Sequence, residues 1–230
     1  MPELPQAPGL YARTLTLDPD TALRCSIAIP RQYRPADPVP LLLALHYGWE
    51  MLGPPPPFYG EGLLLGLVEP ALGELEAIIA APDCPGRDWA EAGSEAALLA
   101  LLEYLQREYP IDADRILITG YSLGGMGTWH MVSRHPERFC AAIVMAGWPP
   151  EDALERIADT PFYIIHSRDD ELIPFGLTET AVRELQSRGV AVEFVAAEGI
   201  THFETMPLAK HLRAAIPWIR RVWGEGQGIP

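Results

Sequence analysis

Arg115-Ile-Leu-Ile-Thr-Gly-Tyr-Ser122-Leu-Gly-Gly-Met-Gly-Thr-Trp-His130 is the stretch on which the reading of this chain turns. Its first half, RILIT, is an apolar run of the kind that fills a strand buried on both faces of a parallel sheet. The segment after Ser122, to about residue 135, reads as a helix. Between them stands Gly120-Tyr121-Ser122-Leu123-Gly124, a G-x-S-x-G with no spacer on either side. A five-residue pattern arises by chance, and a glycine-rich structural turn is the plain alternative. The strand–turn–helix context is what gives it weight. A serine on so sharp a turn needs small neighbours, and the helix N-terminus behind it aims backbone N–H groups at any developing oxyanion.

A serine hydroxyl is a weak nucleophile until a base takes its proton. Six histidines compete for that role. His46 precedes the serine, at the end of a strand. His130 and His135 run away from the turn along or beyond the helix. His166 ends a later strand and His211 lies in the terminal helix. His202, in Gly199-Ile200-Thr201-His202-Phe203, alone falls in a loop just after the last strand, at the carboxyl edge of the sheet. An exposed loop histidine is its bland alternative. The acid belongs between serine and histidine in chain order, and the segment His166-Ser-Arg-Asp169-Asp170-Glu-Leu-Ile-Pro174 offers it. Two adjacent aspartates near a strand end point to different sides, so only one of them faces the histidine.

Around this centre, residues 10–17 and 22–30 read as an antiparallel hairpin across the turn Asp18-Pro19-Asp20-Thr21. Residues 39–48 and 77–81 are further buried strands, as are 140–148, 161–167 and 190–196. Helical spacing marks 94–109 and 177–189, the latter ended by Gly189. A terminal helix over 208–223 is expected to break or kink at Pro217. Gly53-Pro54-Pro55-Pro56-Pro57 cannot be helical and forms a stiff extended piece. The alternation implies an α/β class, one mostly parallel sheet with helices on both faces, in a single domain over residues 1–230.

The 31 acidic and 17 basic side chains leave a formal charge of −14. So acidic a surface disfavours nucleic acid and anionic membrane surfaces as partners. Three cysteines without CxxC spacing fit reduced thiols, and the N-terminus lacks a basic and an apolar region, so a cytoplasmic location is expected. His130 and His135 stand five apart, which is not metal-ligand spacing on a helix, and Gly124-Gly125-x-Gly127 is not a dinucleotide fingerprint. Neither metal nor cofactor is called for. A small molecule and, at most, a second copy of the chain remain as partners.

From about Val39 to Phe203 the sequence resembles the compact esterase branch of the α/β-hydrolases. That branch includes phospholipase/carboxylesterase-like proteins, polyhydroxybutyrate-depolymerase-like esterases and "predicted peptidases". The resemblance rests on LLLALHYG, APDCPGRDW, the long run from Asp112 to Trp148, HSRDDELIP and GITHF. It implies Ser122, Asp170 and His202 as the triad, with Asp169 on a variable position. It implies an oxyanion hole from the N–H of Leu123 and one amide of the His46-Tyr47-Gly48-Trp49 loop, Gly48 or Trp49. Cys84 matches a structural loop thiol. Members of the superfamily often carry a lid after the sixth strand, but Pro149–Thr160 is too short for one, so an open cleft is expected. Trp49, Trp89 and Trp148, with Phe58, Tyr59, Leu172 and Phe203, suggest a shallow apolar acyl site, although each tryptophan alone also reads as packing. The expected chemistry is hydrolysis of short to medium acyl esters. A peptidase or thioesterase shares that chemistry, and a non-catalytic binding protein on the same fold comes last.

Overall fold

A computed structural model describes residues 4–18, 21–48, 55–150 and 152–225. Part of the 18–21 turn, Trp49 and the start of the proline run lie outside the described residues. Eight strands form one sheet: β1 (Gly9–Asp18), β2 (Thr21–Ile29), β3 (Val39–Leu45), β4 (Ile78–Pro82), β5 (Ile111–Tyr121), β6 (Ala141–Met145), β7 (Phe162–Ser167) and β8 (Val192–Ala197). Their spatial order is β1-β2-β4-β3-β5-β6-β7-β8. β1 pairs with β2, and β2 with β4, antiparallel; every other neighbour is parallel.

The helices are α1 (Gly60–Leu63), α2 (Glu69–Leu72), α3 (Ala92–Glu108), α4 (Leu123–Arg134), α5 (Ala153–Arg156), α6 (Phe175–Ser187), α7 (Ala209–Arg213) and α8 (Ile216–Val222). Strand alternation sorts the core into two layers. Leu41, Leu43 and Leu45 of β3 face one layer, with Leu101 of α3, Trp129 of α4 and Leu185 of α6. Leu42 and Ala44 face the other, with Leu67 and with Ile219 of α8. This is the α/β-hydrolase architecture expected from the strand and helix pattern. Only α5 lies between β6 and β7, so no lid covers that edge among the described residues. Likewise, no helix among them is long and apolar enough to cross a membrane.

Three local readings need correction. β3 stops at Leu45, and His46-Tyr47-Gly48 leave the sheet to face the serine turn. The C-terminal helix breaks at Ala214–Ala215, ahead of Pro217. Proline clashes with the carbonyl four residues back but is tolerated in a helix's first turn, so the chain restarts there and α8 takes Pro217 in its opening turn. Residues 60–75, not read as helix, are α1, a π turn over Leu64–Val68, α2 and a 3-10 turn. Four glycines and Pro70 depress helix propensity there and hide the period.

Candidate active site

Parallel neighbours diverge at β3 and β5: the chain runs outward from β3 to β4, then returns to β5 on the other side. Beyond the carboxyl ends of strands at such a switch point lies the crevice where open α/β sheets bind ligands. Ser122 stands there, joining β5 to α4. Its backbone is at φ 56°, ψ −118°, outside the regions ordinary L-residues prefer. The turn is held from below by Ser122 N–H donating to the Met145 carbonyl at 2.9 Å. Gly124 permits it, since a Cβ there would lie 1.9 Å from the Leu45 carbonyl oxygen. The first residue of α4, Leu123, has an N–H that no helix carbonyl can reach.

Ser122 Oγ is 2.9 Å from His202 Nε2, and His202 Nδ1 is 2.8 Å from Asp170 Oδ2. The histidine is 5% exposed and the Asp170 side chain 2%. Burial alone would raise the Asp170 pKa. Hydrogen bonds from His166, His202 and the Ile173 N–H outweigh it, and hold the carboxyl well below the usual range. Such a chain of groups can transfer a proton from the hydroxyl to a histidine whose tautomer the carboxylate fixes.

Four contacts position His202 besides these. Glu171 accepts its backbone N–H at 2.8 Å, and Asp169 accepts the Gly199 N–H at 2.6 Å. The Tyr121 hydroxyl donates to the His202 carbonyl, and the Tyr121 ring lies against the imidazole at 5.4 Å between centroids. Burial, then Asp170 and Glu171, push the Tyr121 hydroxyl far up, so it stays a donor. Asp169-Asp170-Glu171 thus grip the histidine loop with three successive carboxylates. Asp169, on the position the resemblance leaves variable, is exposed and also anchors that loop. Neither Glu171 nor Tyr121 was singled out from sequence, because each bonds to backbone and leaves no side-chain motif.

Gly48 faces the serine turn, its Cα hydrogen position pointing at the Leu123 side chain, 3.6 Å from where a Cβ would sit. Trp49, the other oxyanion candidate and a substrate candidate, lies outside the described residues. His46 is wholly buried: Nδ1 donates to the Tyr47 carbonyl at 2.7 Å and Nε2 accepts the Cys84 N–H at 2.9 Å. Burial lowers its pKa, so a neutral ring braces the loop.

The expectation for Trp89 is corrected. It is 0% exposed, its indole N–H donates to the His46 carbonyl at 3.0 Å, and it packs so close to α4 that a Cβ at Gly127 would meet its own at 2.4 Å. It supports the site from beneath and offers no surface to a substrate. Trp148 is half-buried just past β6, Leu172 is exposed, and Phe203 is exposed with its ring edge-on to His202. Cys84 is buried against Ser94, as a packed thiol. His130 and His135 both bind Glu95 of α3, holding its pKa at about 2 against a burial effect that would raise it.

Residues 92–216 match the phospholipase/carboxylesterase family. The chain belongs to that family. A probable carboxylesterase of Arabidopsis thaliana, SOBER1-like, is 31% identical over 98 residues, 40% of this family member and 37% of the plant protein. A bifunctional acetylxylan esterase/xylanase of Neocallimastix patriciarum is 25% identical over 34% of the chain and 12% of its own length. The chain therefore spans well under half of the curated relatives it matches. Among solved structures, a thermostable esterase superposes with TM-score 0.77 at 26% identity, over 92% of this chain and 62% of that one. An S-formylglutathione hydrolase of Staphylococcus aureus shares the fold at TM-score 0.70 and 15% identity, over 94% and 98%.

Proposed function

We propose that this family member is a carboxylic ester hydrolase that works through a Ser122-His202-Asp170 triad. The observation that supports this most is the unbroken line of hydrogen bonds from Ser122 Oγ to His202 to Asp170, on a strained turn at a helix N-terminus. In this reading Ser122 Oγ bonds to the ester carbonyl carbon while its proton passes to His202 Nε2. The carbonyl π electrons move onto oxygen, and the oxyanion is met by the N–H of Leu123 and an amide of the Gly48 loop. Collapse expels the alkoxide, which takes the proton from His202. Water then repeats the sequence on the acyl-enzyme and releases the acid. Asp170 fixes the imidazole tautomer and stabilises the imidazolium without taking the proton. A peptidase or thioesterase has the same steps, and only the leaving group distinguishes them.

Labelling with a fluorophosphonate, beside turnover of p-nitrophenyl esters and an aryl amide, tests the reading. Wild type should label and hydrolyse the esters faster than the amide. Ser122→Ala should not label, and should lose on the order of 10⁶ in kcat while keeping its melting temperature. Labelling of the alanine variant, or retention of a hundredth or more of the activity (about 2.7 kcal/mol of barrier), would remove Ser122 from the nucleophile role.

A further inference from the structure

One buried histidine has no part in the proposed chemistry. His166 lies in β7, and alternation turns it to the same face as Ile164, beneath α6. It is 0% exposed. Its Nδ1 is 2.7 Å from Thr178 Oγ1. Its Nε2 is 3.3 Å from Asp170 Oδ2 and 3.2 Å from the Ile173 carbonyl oxygen. A carboxylate and a carbonyl can only accept, so the nitrogen between them carries the proton. A bare Nε2 would set three acceptors against one another in a dry site, each without its bond. At the other end Thr178 Oγ1 is also 3.1 Å from the Gly147 carbonyl. A hydroxyl serves Nδ1 in either state, donating to it when bare, or accepting from it while donating to Gly147.

We propose that His166 is a positioning residue for the triad: its Nε2–H donates to Asp170 Oδ2, the oxygen that also receives His202 Nδ1–H, and fixes that carboxylate's orientation and charge. This rests on the triad reading given above. The other oxygen, Oδ1, takes the N–H groups of Leu172 at 3.0 Å and Ile173 at 2.7 Å, so both carboxylate oxygens are held. Sharing Oδ2 also moderates what His202 feels. Without His166 the full charge of Asp170 falls on His202, the imidazolium is favoured, and the base keeps its proton to higher pH. The other groups around the pair are Glu171 and Asp169, which bond to the histidine loop from the segment after β7, Glu204 bonded to Thr201, Tyr121 against the imidazole, and Ser122. From α6 come Thr178 and Phe175, whose ring is edge-on to His166 and carries Arg168 over it. A substitution at 166 leaves all of these in the chain.

Three measurements on the full chain test this. Nitrogen-15 NMR of histidine-labelled wild type should show His166 Nε2 protonated, with its signal moving in Asp170→Asn. The kcat/KM profile of His166→Leu on p-nitrophenyl acetate should have its acid limb displaced upward by about half a pH unit or more. Its kcat should fall about tenfold or more, the worth of a hydrogen bond to a charged acceptor, with KM little changed. His166→Gln, which keeps an N–H donor, should recover most of both. A bare Nε2 in wild type overturns the proposal whether or not the leucine variant folds. So does a leucine variant whose activity falls without displacement of the limb. Fluorophosphonate labelling separates the two readings. A wild type that fails to label sinks the triad, whereas one that labels but has a bare His166 Nε2 sinks only this inference.

Discussion

Asp169 and Asp170 are neighbours with the same side chain, and their surroundings alone assign them different work. Asp170 is shielded from solvent, accepts from His202 and two backbone N–H groups, and has His166 Nε2 3.3 Å from its Oδ2. Asp169 is exposed and accepts one N–H, that of Gly199. Asp170→Asn should therefore lose about 10⁴ in kcat, because an amide there favours the wrong imidazole tautomer. Asp169→Asn keeps an acceptor oxygen and should stay within about tenfold of wild type, under roughly 1.4 kcal/mol of barrier. Steady-state kinetics of both variants decide it, and the reverse ranking would move the acid role to Asp169. The choice between the two rests on the family resemblance, whose pattern runs from His166 through Asp170 to Pro174, and not on composition. Glu171 sits beside them and carries no such signal, since its partner is a backbone amide of a loop 31 residues away. Sequence patterns carry side-chain chemistry well, and side-chain-to-backbone bonds across loops hardly at all.

At the scale of elements, the site depends on how closely α4 approaches β3 and the Trp89 loop. The glycines of that helix read at first as what a serine turn requires. Gly127 has a separate reason, the indole of Trp89 pressed against it. Gly127→Ala should force the helix and the tryptophan apart at a cost of about 1–3 kcal/mol. Thermal melting should show that loss, and kcat should fall with it because Ser122 and Leu123 head the same helix. An unchanged melting temperature would mean the contact is easily relieved. Trp89 itself marks where sequence reading fails for elements. A tryptophan in a loop after a strand fits a cleft wall and a buried prop equally, and its full burial and the indole N–H bonded to the His46 carbonyl separate them. The central strands, by contrast, were legible as elements, because a strand buried on both faces must be apolar throughout, although β3 and β6 end about three residues earlier than the apolar runs suggest. The segment 60–75 was not, since its glycines and Pro70 break the period that packing nevertheless imposes.

Across the whole molecule, α5 is all that lies between β6 and β7 among the described residues, so none of them there covers the edge that carries Ser122. Leu172, Phe203 and Met206 are exposed on the segments that carry Asp170 and His202. Such a rim offers a short chain some apolar cover but cannot enclose a long one, so activity should be greatest on acyl chains of roughly four to eight carbons. A panel of p-nitrophenyl esters from acetate to palmitate measures this. A steady rise to palmitate, with a jump at an oil–water interface, would contradict it. The strand order has a consequence for how the protein fails under heat. β8 ends the sheet, is half-exposed along most of its length, and leads directly into the loop of His202. Ser122 instead follows β5, which is flanked on both sides. Outer strands open at lower free energy than central ones. Fraying at 192–197 should thus draw His202 away while Ser122 stays seated. Local opening of β8, read as amide exchange at 192–197, should then disarm the molecule below its global melting temperature, and cooling should restore it.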